Sequence, residues 1–375
     1  MGGQLRIKAD KDYLGLDTYL IRQRPERILL VCGESVSKLK IGKYFETLES
    51  RLGIPVVPFH GFTPNPVYES VKQGVHCYRE HGCSMIVAAG GGSAMDVAKC
   101  IRLFAPMNPN ENYLRQKVQP SEIPLLVIPT TAGTGSEATH FAVIYFQGEK
   151  QSITHEMCLP DAFMLDPSLL DSLPLYQRKA TCMDALCHAL ESCWSVNSTE
   201  ESKEYAKEAV QLIMEYGNGY LENQGIANEK MLVAAHLAGK AINITQTTAG
   251  HALCYKLTSL YGIAHGHAAA LCVREVWRYM LEHLEMCRDI RGRDYLEHIF
   301  AEIACIMRCE DAEGALSCFE TMIYRMDLGI EKEHEEICWE ELIGSVNVER
   351  LNNNPVTLTE KALDGIYHRI FNRYL

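Results

Sequence analysis

The stretch TCMDALCHALESCW at residues 181–194 places two possible metal ligands one helical turn apart. Asp184 and His188 are four residues apart, so on a helix their side chains project from the same face, and Glu191 continues that face. Most of the intervening residues are apolar, which indicates that the face is at least partly buried. A surface stripe is the simpler interpretation, but a buried carboxylate and imidazole need a polar partner, and a cation would provide one.

Three more histidines lie in a second stretch, TTAGHALCYKLTSLYGIAHGHAAAL at residues 247–271. In one straight helix His251 and His265 would be about 21 Å apart at ~1.5 Å per residue, too far to share an ion. Gly262 allows the chain to turn back, so we expect His251 on one helix and His265 at the start of the next. With the first stretch they would form one carboxylate and three imidazoles, a set suited to Fe²⁺ or Zn²⁺ with a position left for substrate: Asp184, His188, His251 and His265. The alternative for each histidine taken alone is an ordinary place in the core.

Two glycine-rich turns, in IVAAGGGSAMDVAKC (86–100) and PTTAGTGSEAT (129–139), follow apolar runs that are typical of strands. A glycine turn between a strand and a helix lets backbone N–H groups bind phosphate oxygens. Neither turn is a dinucleotide or P-loop fingerprint, because GxGxxG and Gly-Lys-Ser/Thr are both missing. Two such turns at the carboxyl ends of parallel strands would meet at one edge of the sheet. They predict a nucleotide site, with a pair of tight structural turns as the alternative.

The elements that must hold these residues change character along the chain. Before residue 170, apolar runs typical of strands (26–33, 53–61, 83–93, 123–131 and 161–167) alternate with helical patterns (35–52, 65–82 and 93–105). That alternation predicts βαβ units and a parallel sheet covered by helices. After residue 180 the periodicity is helical. A chain of 375 residues is long enough for two domains, and the boundary is expected near 170–180.

Composition argues against several classes of partner. A net charge of −12 disfavours nucleic acid and anionic membrane surfaces. No uncharged apolar run approaches about 18 residues, so a transmembrane helix is not expected. The fifteen cysteines form no CxxC pair, and the chain starts without a signal-peptide apolar run, which together predict a reducing, cytoplasmic setting rather than a disulfide framework.

At these residues the chain resembles the iron-containing (group III) alcohol dehydrogenase family. Three segments match its motifs: GGGSAMDVAK (GGGSxxDxAK in the family), PTTAGTGSEAT (PTTAGTGSE) and DALCHALES (DALTHAxE). FHGFTPNP is similar to a family segment that ends in Pro-Asn-Pro, and the matches run from about residue 28 to 273. The resemblance implies a dehydroquinate synthase-like architecture, with an α/β dinucleotide-binding domain containing a parallel sheet at 1–178 and an all-α metal-binding and substrate domain at 179–375.

The resemblance also assigns residues to two cofactors, iron and NAD(P). The metal ligands would be the four residues already singled out: Asp184, His188, His251 and His265. The pyrophosphate would be bound by Gly91, Gly92 and Ser93, and the rest of the dinucleotide by Asn65, Thr130, Thr131 and Lys150. Gly33 stands where many members have an aspartate that accepts the adenosine ribose hydroxyls, so NADPH is expected to be accepted as well as NADH.

The activity implied is reduction of a small aldehyde to an alcohol, with the carbonyl oxygen on Fe²⁺ (or Zn²⁺) and hydride from the nicotinamide. His267 is the candidate proton relay, and a role in supporting a ligand or capping a helix is an equal alternative. Tyr255 replaces a family histidine and could still donate a hydrogen bond. The block 244–267 is most similar to the phosphonoacetaldehyde reductase branch, and a phosphonate could pair with Lys256 or His155. Glu191 is expected to pack between helices or to support a ligand.

Two relatives on the same fold are alternatives: a glycerol-type polyol dehydrogenase and a sugar-phosphate cyclase. The aspartate at position 184 argues against the cyclase, whose first ligand is a glutamate, and His188 favours the iron-dependent branch. A non-catalytic metal or nucleotide sensor would need a missing ligand or a blocked site, and all four ligand types are present. Members of the family commonly form homo-oligomers, and the same is expected here.

Overall fold

The computed structural model describes residues 3–330, 337, 339–346 and 348–372. The chain divides into two compact units, Met1–Thr131 with Gly135–Leu173 and Ala132–Thr134 with Pro174–Leu375. We call them the first and the second unit. The domain limits expected from the sequence, 1–178 and 179–375, stay a prediction.

A six-stranded parallel sheet is the main feature of the first unit. Its strands lie side by side in the order β1-β8-β5-β4-β2-β3, and along the chain they are β1 (Leu5–Ile7), β2 (Ile28–Cys32), β3 (Val56–Phe59), β4 (Met85–Gly90), β5 (Leu125–Pro129) and β8 (Ala162–Met164). β2, β4 and β5 are buried along their whole length, as expected for strands covered on both faces. The predicted parallel sheet is confirmed, and each of the five predicted strand segments contains one of these strands.

Two β elements of the first unit, as well as the helix at Leu14–Gln23, are absent from the sequence prediction. One is β1, a three-residue strand at the edge of the sheet. The other is an antiparallel hairpin of β6 (Phe141–Phe146) and β7 (Glu149–Thr154). Its two turn residues, Gln147 and Gly148, have φ values of 53° and 81°, the left-handed conformation that a tight two-residue hairpin turn requires.

The helices of the first unit are α1 (Leu14–Gln23), α2 (Lys40–Glu46), α3 (Leu48–Leu52), α4 (Tyr68–Glu80) and α5 (Gly92–Phe104). The helical pattern at 35–52 is not one helix, because it consists of part of a 3-10 turn (Glu34–Lys38), α2 and α3. Leu39 is extended between the turn and α2, with φ −83° and ψ 159°. A Cβ on Gly42 would lie 2.1 Å from the carbonyl oxygen of Val36, so glycine at this position lets α2 fold back onto the turn.

The second unit is built from helices. They are α6 (Leu175–Trp194), α7 (Glu200–Leu221), α8 (Gly225–Thr245), α9 (Ala249–Tyr261), α10 (His265–Glu282), α11 (Arg293–Ile306), α12 (Ala312–Arg325), α13 (Trp339–Gly344), α14 (Val348–Asn352) and α15 (Glu360–Asn372). Gly262 ends α9 in the left-handed conformation, with φ 67°, so the chain turns where the sequence predicts it. Within the described residues, every helix is too short or too polar to cross a lipid bilayer.

Candidate metal centre and cofactor-binding turns

Three of the four predicted metal ligands come together inside the second unit. Asp184 and His188 lie on α6 and His251 lies on α9, and one ligand atom of each is within 4.8 Å of the others. The three residues are 2%, 6% and 1% exposed. The rings of His188 and His251 are stacked, with centroids 4.3 Å apart. The four-residue spacing on α6 therefore does place a carboxylate and an imidazole beside a second imidazole.

The donor atoms of this group fit a divalent cation. Asp184 Oδ1 and His251 Nε2 are buried and make no hydrogen bond to a described residue. They are 3.6 Å apart, which is too long for a hydrogen bond between them. Buried polar atoms without a partner are costly, and a carboxylate beside imidazoles is a ligand set suited to Fe²⁺ or Zn²⁺. A cation would satisfy both atoms at once.

His265, the fourth predicted ligand, lies at the edge of the group. It is the first residue of α10, and its Nε2 is 3.9 Å from Asp184 Oδ1. Its side chain is 36% exposed, far more than those of the other three. Cys254 Sγ is 3.7 Å from its Nδ1, and the ring of Tyr255 stacks on its ring at 5.7 Å. Tyr255, predicted as a hydrogen-bond donor, thus contacts the ligand through its ring.

Glu191 is fully buried and supports His251. Its carboxylate accepts hydrogen bonds from the Thr248 hydroxyl at 2.6 Å and from the Thr248 N–H at 3.2 Å, and it contacts His251 Nδ1 directly. A carboxylate on one ring nitrogen fixes the tautomer and the direction of the ring, which leaves Nε2 for the metal. Of the two roles that the sequence left open for Glu191, the contacts favour the supporting one.

Opposing charges set the pKa values of the group. Burial would raise the pKa of the Asp184 carboxyl, but the imidazoles of His188, His265 and His251 hold it well below its usual range. Burial lowers the pKa of His188 to about 4. Burial would also lower the pKa of His251, but Glu191 and Asp184 raise it to about 9. Without a metal, both ring nitrogens of His251 therefore carry a proton at neutral pH. A bound cation would replace the proton on Nε2.

Gly266 lets α10 approach α6 beside the group of Asp184, His188 and His251, which we call the metal group. A Cβ on Gly266 would lie 2.0 Å from the carbonyl oxygen of Ala180 and 2.6 Å from Asp184 Cβ. No real side chain tolerates such distances, so the start of α10 rests directly on the backbone of α6. This close approach is what brings His265 beside Asp184.

Replacing Gly266 with alanine is expected to push the two helices apart. Overpacking of this kind costs about 1–3 kcal/mol of stability, so the midpoint of urea unfolding should fall, and the iron content should fall with it. Gly365→Ala is the matched control, because a Cβ at Gly365 inside α15 meets no atom within 4 Å, so the higher helix propensity of alanine should keep the midpoint at or above that of wild type with the iron content intact. Equal behaviour of the two variants would contradict the close packing of α10 on α6.

Three residues predicted to act in catalysis or substrate binding already have protein partners. His267 is 4% exposed, and its Nδ1 is 3.2 Å from the Tyr176 hydroxyl. Lys256 forms an ion pair with Glu341 at 2.8 Å. His155, in the first unit, accepts a hydrogen bond from the N–H of Met157 at the start of a 3-10 turn. Their roles as proton relay and anion partners stay predictions.

The first glycine-rich turn and the start of the second, as far as Thr131, are neighbours at the carboxyl edge of the sheet in the first unit. The N–H of Thr130 donates to the carbonyl of Gly90 at 2.9 Å, and a Cβ on Gly91 would lie 3.5 Å from the Thr131 side chain. The Thr131 hydroxyl is buried without a hydrogen-bond partner among the described residues. Gly92 and Ser93 open α5, which has no side-chain cap among the described residues, and the N-terminus of a helix favours an anion. That this edge of the sheet binds the pyrophosphate stays a prediction.

The other predicted cofactor residues also lie in the first unit. Gly33 follows β2 and precedes the 3-10 turn Glu34–Lys38. Asn65 is exposed and has a positive φ of 56° in the TPNP turn. Lys150 is half-buried on β7, where its charge acts on the buried carboxyl of Asp96. Gly33 lies at the same sheet edge as the glycine-rich turns, because β2 and β4 are parallel neighbours.

Two family models match the chain. The model described as iron-containing alcohol dehydrogenase matches residues 11–167, and the model described as Fe-containing alcohol dehydrogenase family, C-terminal, matches residues 179–371. The predicted metal group falls in the second of these ranges and the glycine-rich turns fall in the first.

Individual relatives agree with the family models. The phosphonoacetaldehyde reductase of Streptomyces viridochromogenes is 30% identical and aligns with 82% of this chain and 81% of its own length. The 1,3-propanediol dehydrogenase of Klebsiella pneumoniae is 31% identical over 81% of this chain and 79% of its own. The solved structure of sulfoacetaldehyde reductase from Bifidobacterium kashiwanohense in complex with NAD⁺ has a TM-score of 0.84 at 25% identity, covering 98% of this chain and 97% of that one.

Proposed function

The chain belongs to the family of iron-containing alcohol dehydrogenases, and we propose that it reduces a short anionic aldehyde, such as phosphonoacetaldehyde, to its alcohol. The observation that carries the reductase activity is the buried group of Asp184, His188 and His251, with its unpaired donor atoms. The anionic substrate is supported by two relatives, named as reductases of phosphonoacetaldehyde and sulfoacetaldehyde, which are both two-carbon aldehydes with an acidic group. We further propose a homo-oligomer that works in the cytoplasm.

Different residues of this chain would hold the metal, orient a ligand and bind the cofactor. Bound iron supplies a Lewis acid for the carbonyl group, and the nicotinamide supplies the hydride. Asp184, His188, His251 and His265 would hold the ion, and Glu191 keeps His251 in the orientation that this requires. Thr131 and the N-terminus of α5 would hold the pyrophosphate.

Lys256 is the residue of the second unit that we propose for the anionic group. It follows Tyr255, whose ring stacks on His265, so its backbone is next to the metal group. Its present partner, Glu341, is itself an anion on a half-exposed side chain. A phosphonate or sulfonate could take the place of that carboxylate, because both present oxygens that accept from an ammonium group.

Replacing Lys256 with methionine is expected to raise KM for phosphonoacetaldehyde about tenfold and to leave KM for propionaldehyde unchanged. A hydrogen bond to a charged group contributes about 1.5–3 kcal/mol, and ~1.4 kcal/mol corresponds to tenfold. Glu341→Gln should act in the opposite direction, because it removes the competing carboxylate. The measurement is oxidation of NADH and NADPH by anaerobically iron-loaded enzyme with each aldehyde.

Lys361→Met is the control, since Lys361 is an exposed lysine on α15 of the same unit. An equal loss with both aldehydes in Lys256→Met would mean that Lys256 does not recognise the anion. A wild-type enzyme that reduces propionaldehyde but not phosphonoacetaldehyde would leave a dehydrogenase of neutral aldehydes and reject the anionic substrate.

A further inference from the structure

We propose that Tyr176 and His267 form a latch that positions His265, the least buried of the predicted metal ligands. The inference rests on the proposed metal site and concerns residues outside it. Neither Tyr176 nor His267 contacts the buried group of Asp184, His188 and His251 through any hydrogen bond that the described residues make. Their effect on the metal would pass through the backbone at the start of α10.

The latch belongs to a row of residues along one face of α6. Tyr176, Ala180, Asp184 and His188 follow one another at four-residue intervals, so they line one side of the helix. The start of α10 lies along this row: Gly266 is against Ala180 and Asp184, and His265 reaches Asp184. Tyr176 is the last member of the row at the N-terminal end of α6.

Tyr176 supplies the hydrogen bond that the start of α10 cannot supply for itself. Ala264 is the residue before the first turn of this helix, and in a capping box its N–H would be bonded by a glutamate or glutamine at the third helical position, where α10 has His267. The N–H of Ala264 instead donates to the Tyr176 hydroxyl at 3.0 Å. This bond ties the residue immediately before His265 to α6.

His267 holds the tyrosine hydroxyl in place. Its Nδ1 is 3.2 Å from the Tyr176 oxygen, and the two rings meet edge to face at 6.0 Å. Because the oxygen accepts from the N–H of Ala264, its own proton is available to donate to Nδ1. The His267 ring is 4% exposed and faces the backbone of Leu328 and Gly329 on another side, so it cannot turn away freely.

His265 needs such a device more than the other ligands do. Asp184 and His188 lie inside α6, and His251, in the first turn of α9, is contacted by Glu191; His265 is the first residue of a helix, where the backbone frays most easily. Cys254 and Tyr255 contact its ring and set its orientation. The latch is what fixes the backbone that carries the ring. Without it, we expect His265 to leave the group and the ion to be held by three residues.

Replacing Tyr176 with phenylalanine tests the latch with little change to the core, because this side chain is 42% exposed. The expected result is that Fe²⁺ passes to excess 2,2′-bipyridine about tenfold faster than from wild type, since residues that support metal ligands are worth roughly 10- to 100-fold in affinity. His267→Leu should behave like Tyr176→Phe. His267→Asn should be close to wild type, because its amide oxygen can accept from the tyrosine as Nδ1 does.

Tyr279→Phe is the matched control. Tyr279 lies on α10, and its hydroxyl is hydrogen-bonded to Met286 and Thr357, so this variant also removes one hydrogen-bonded tyrosine hydroxyl. A purely structural role would give all the phenylalanine variants the same small change in melting temperature and leave iron release unaltered. Iron release from Tyr176→Phe within twofold of wild type, or a His267→Asn variant as impaired as His267→Leu, would overturn the latch while leaving the proposed function intact. Failure of the wild type to retain iron would overturn both.

Discussion

Replacing His251 with asparagine is expected to empty the metal site and stop turnover. The asparagine amide can donate to Glu191 as His251 Nδ1 does now, so the buried carboxylate keeps a partner. No atom of asparagine reaches the position of Nε2, and Asp184 Oδ1 then loses the donor that shares its cation. The variant therefore keeps Glu191 from becoming an unpaired buried charge, which alone would cost about 3–5 kcal/mol.

The expected size of the effect follows from the position of His251 inside the group. Removing a residue that only supports a ligand costs roughly 10- to 100-fold in metal affinity, so loss of the ligand itself should exceed about 100-fold. Lewis-acid catalysis contributes several kcal/mol, and ~1.36 kcal/mol is tenfold in rate, so kcat/KM should fall by about 10³ or more. Iron per chain after desalting and the rate of NADH oxidation measure the two quantities.

His298→Ala is the control for this prediction, since His298 lies on α11 of the same unit with its side chain 68% exposed. It should retain iron and activity. A His251→Asn enzyme that kept wild-type iron stoichiometry would show that the ion lies elsewhere and would remove the basis of the proposed mechanism.

Spacing along the chain predicts that the candidate ligand side chains lie close together, because two of them share a helix. Asp184 and His188 are visible as a pair from a four-residue interval, and Gly262 marks the turn that brings His251 and His265 onto successive helices. Tyr176 could not be predicted in the same way. Tyr176 meets His267 across 91 residues of chain, and only the packing of α10 on α6 makes them neighbours.

The first unit shows the same division between local and non-local signals. Strands buried on both faces are continuous apolar runs, so β2, β4 and β5 were predictable. β1 has three residues, two of them exposed, and its pairing with β8 depends on residues more than 150 positions away. The hairpin of β6 and β7 did carry a local signal, because FAVIYF at 141–146 is a continuous apolar run followed by a Gln-Gly turn.

Replacing Gly33 with aspartate is expected to lower kcat/KM for NADPH about 100-fold and to leave NADH turnover at or above its wild-type level. An acidic residue at the end of this strand accepts the ribose hydroxyls of NADH and repels the 2′-phosphate of NADPH. Like charges placed against each other cost several kcal/mol, and ~2.7 kcal/mol corresponds to 100-fold. The ratio of the two kcat/KM values, measured with one aldehyde, reports the change.

The backbone at Gly33 makes this a test of charge rather than of space. Its φ of −75° and ψ of 159° suit any residue, and a Cβ there would meet nothing closer than Ser35 Oγ at 3.9 Å. Gly33→Asn adds the same bulk without the charge, so it should lower kcat/KM for NADPH by less than about tenfold. If both variants lost NADPH turnover equally, the 2′-phosphate would not lie near Gly33; if neither changed the ratio, the adenosine ribose would be bound elsewhere on the first unit. A hundredfold loss confined to aspartate would place the ribose at the end of β2, beside the glycine-rich turns, and would show that the absence of a carboxylate at this position is what admits NADPH.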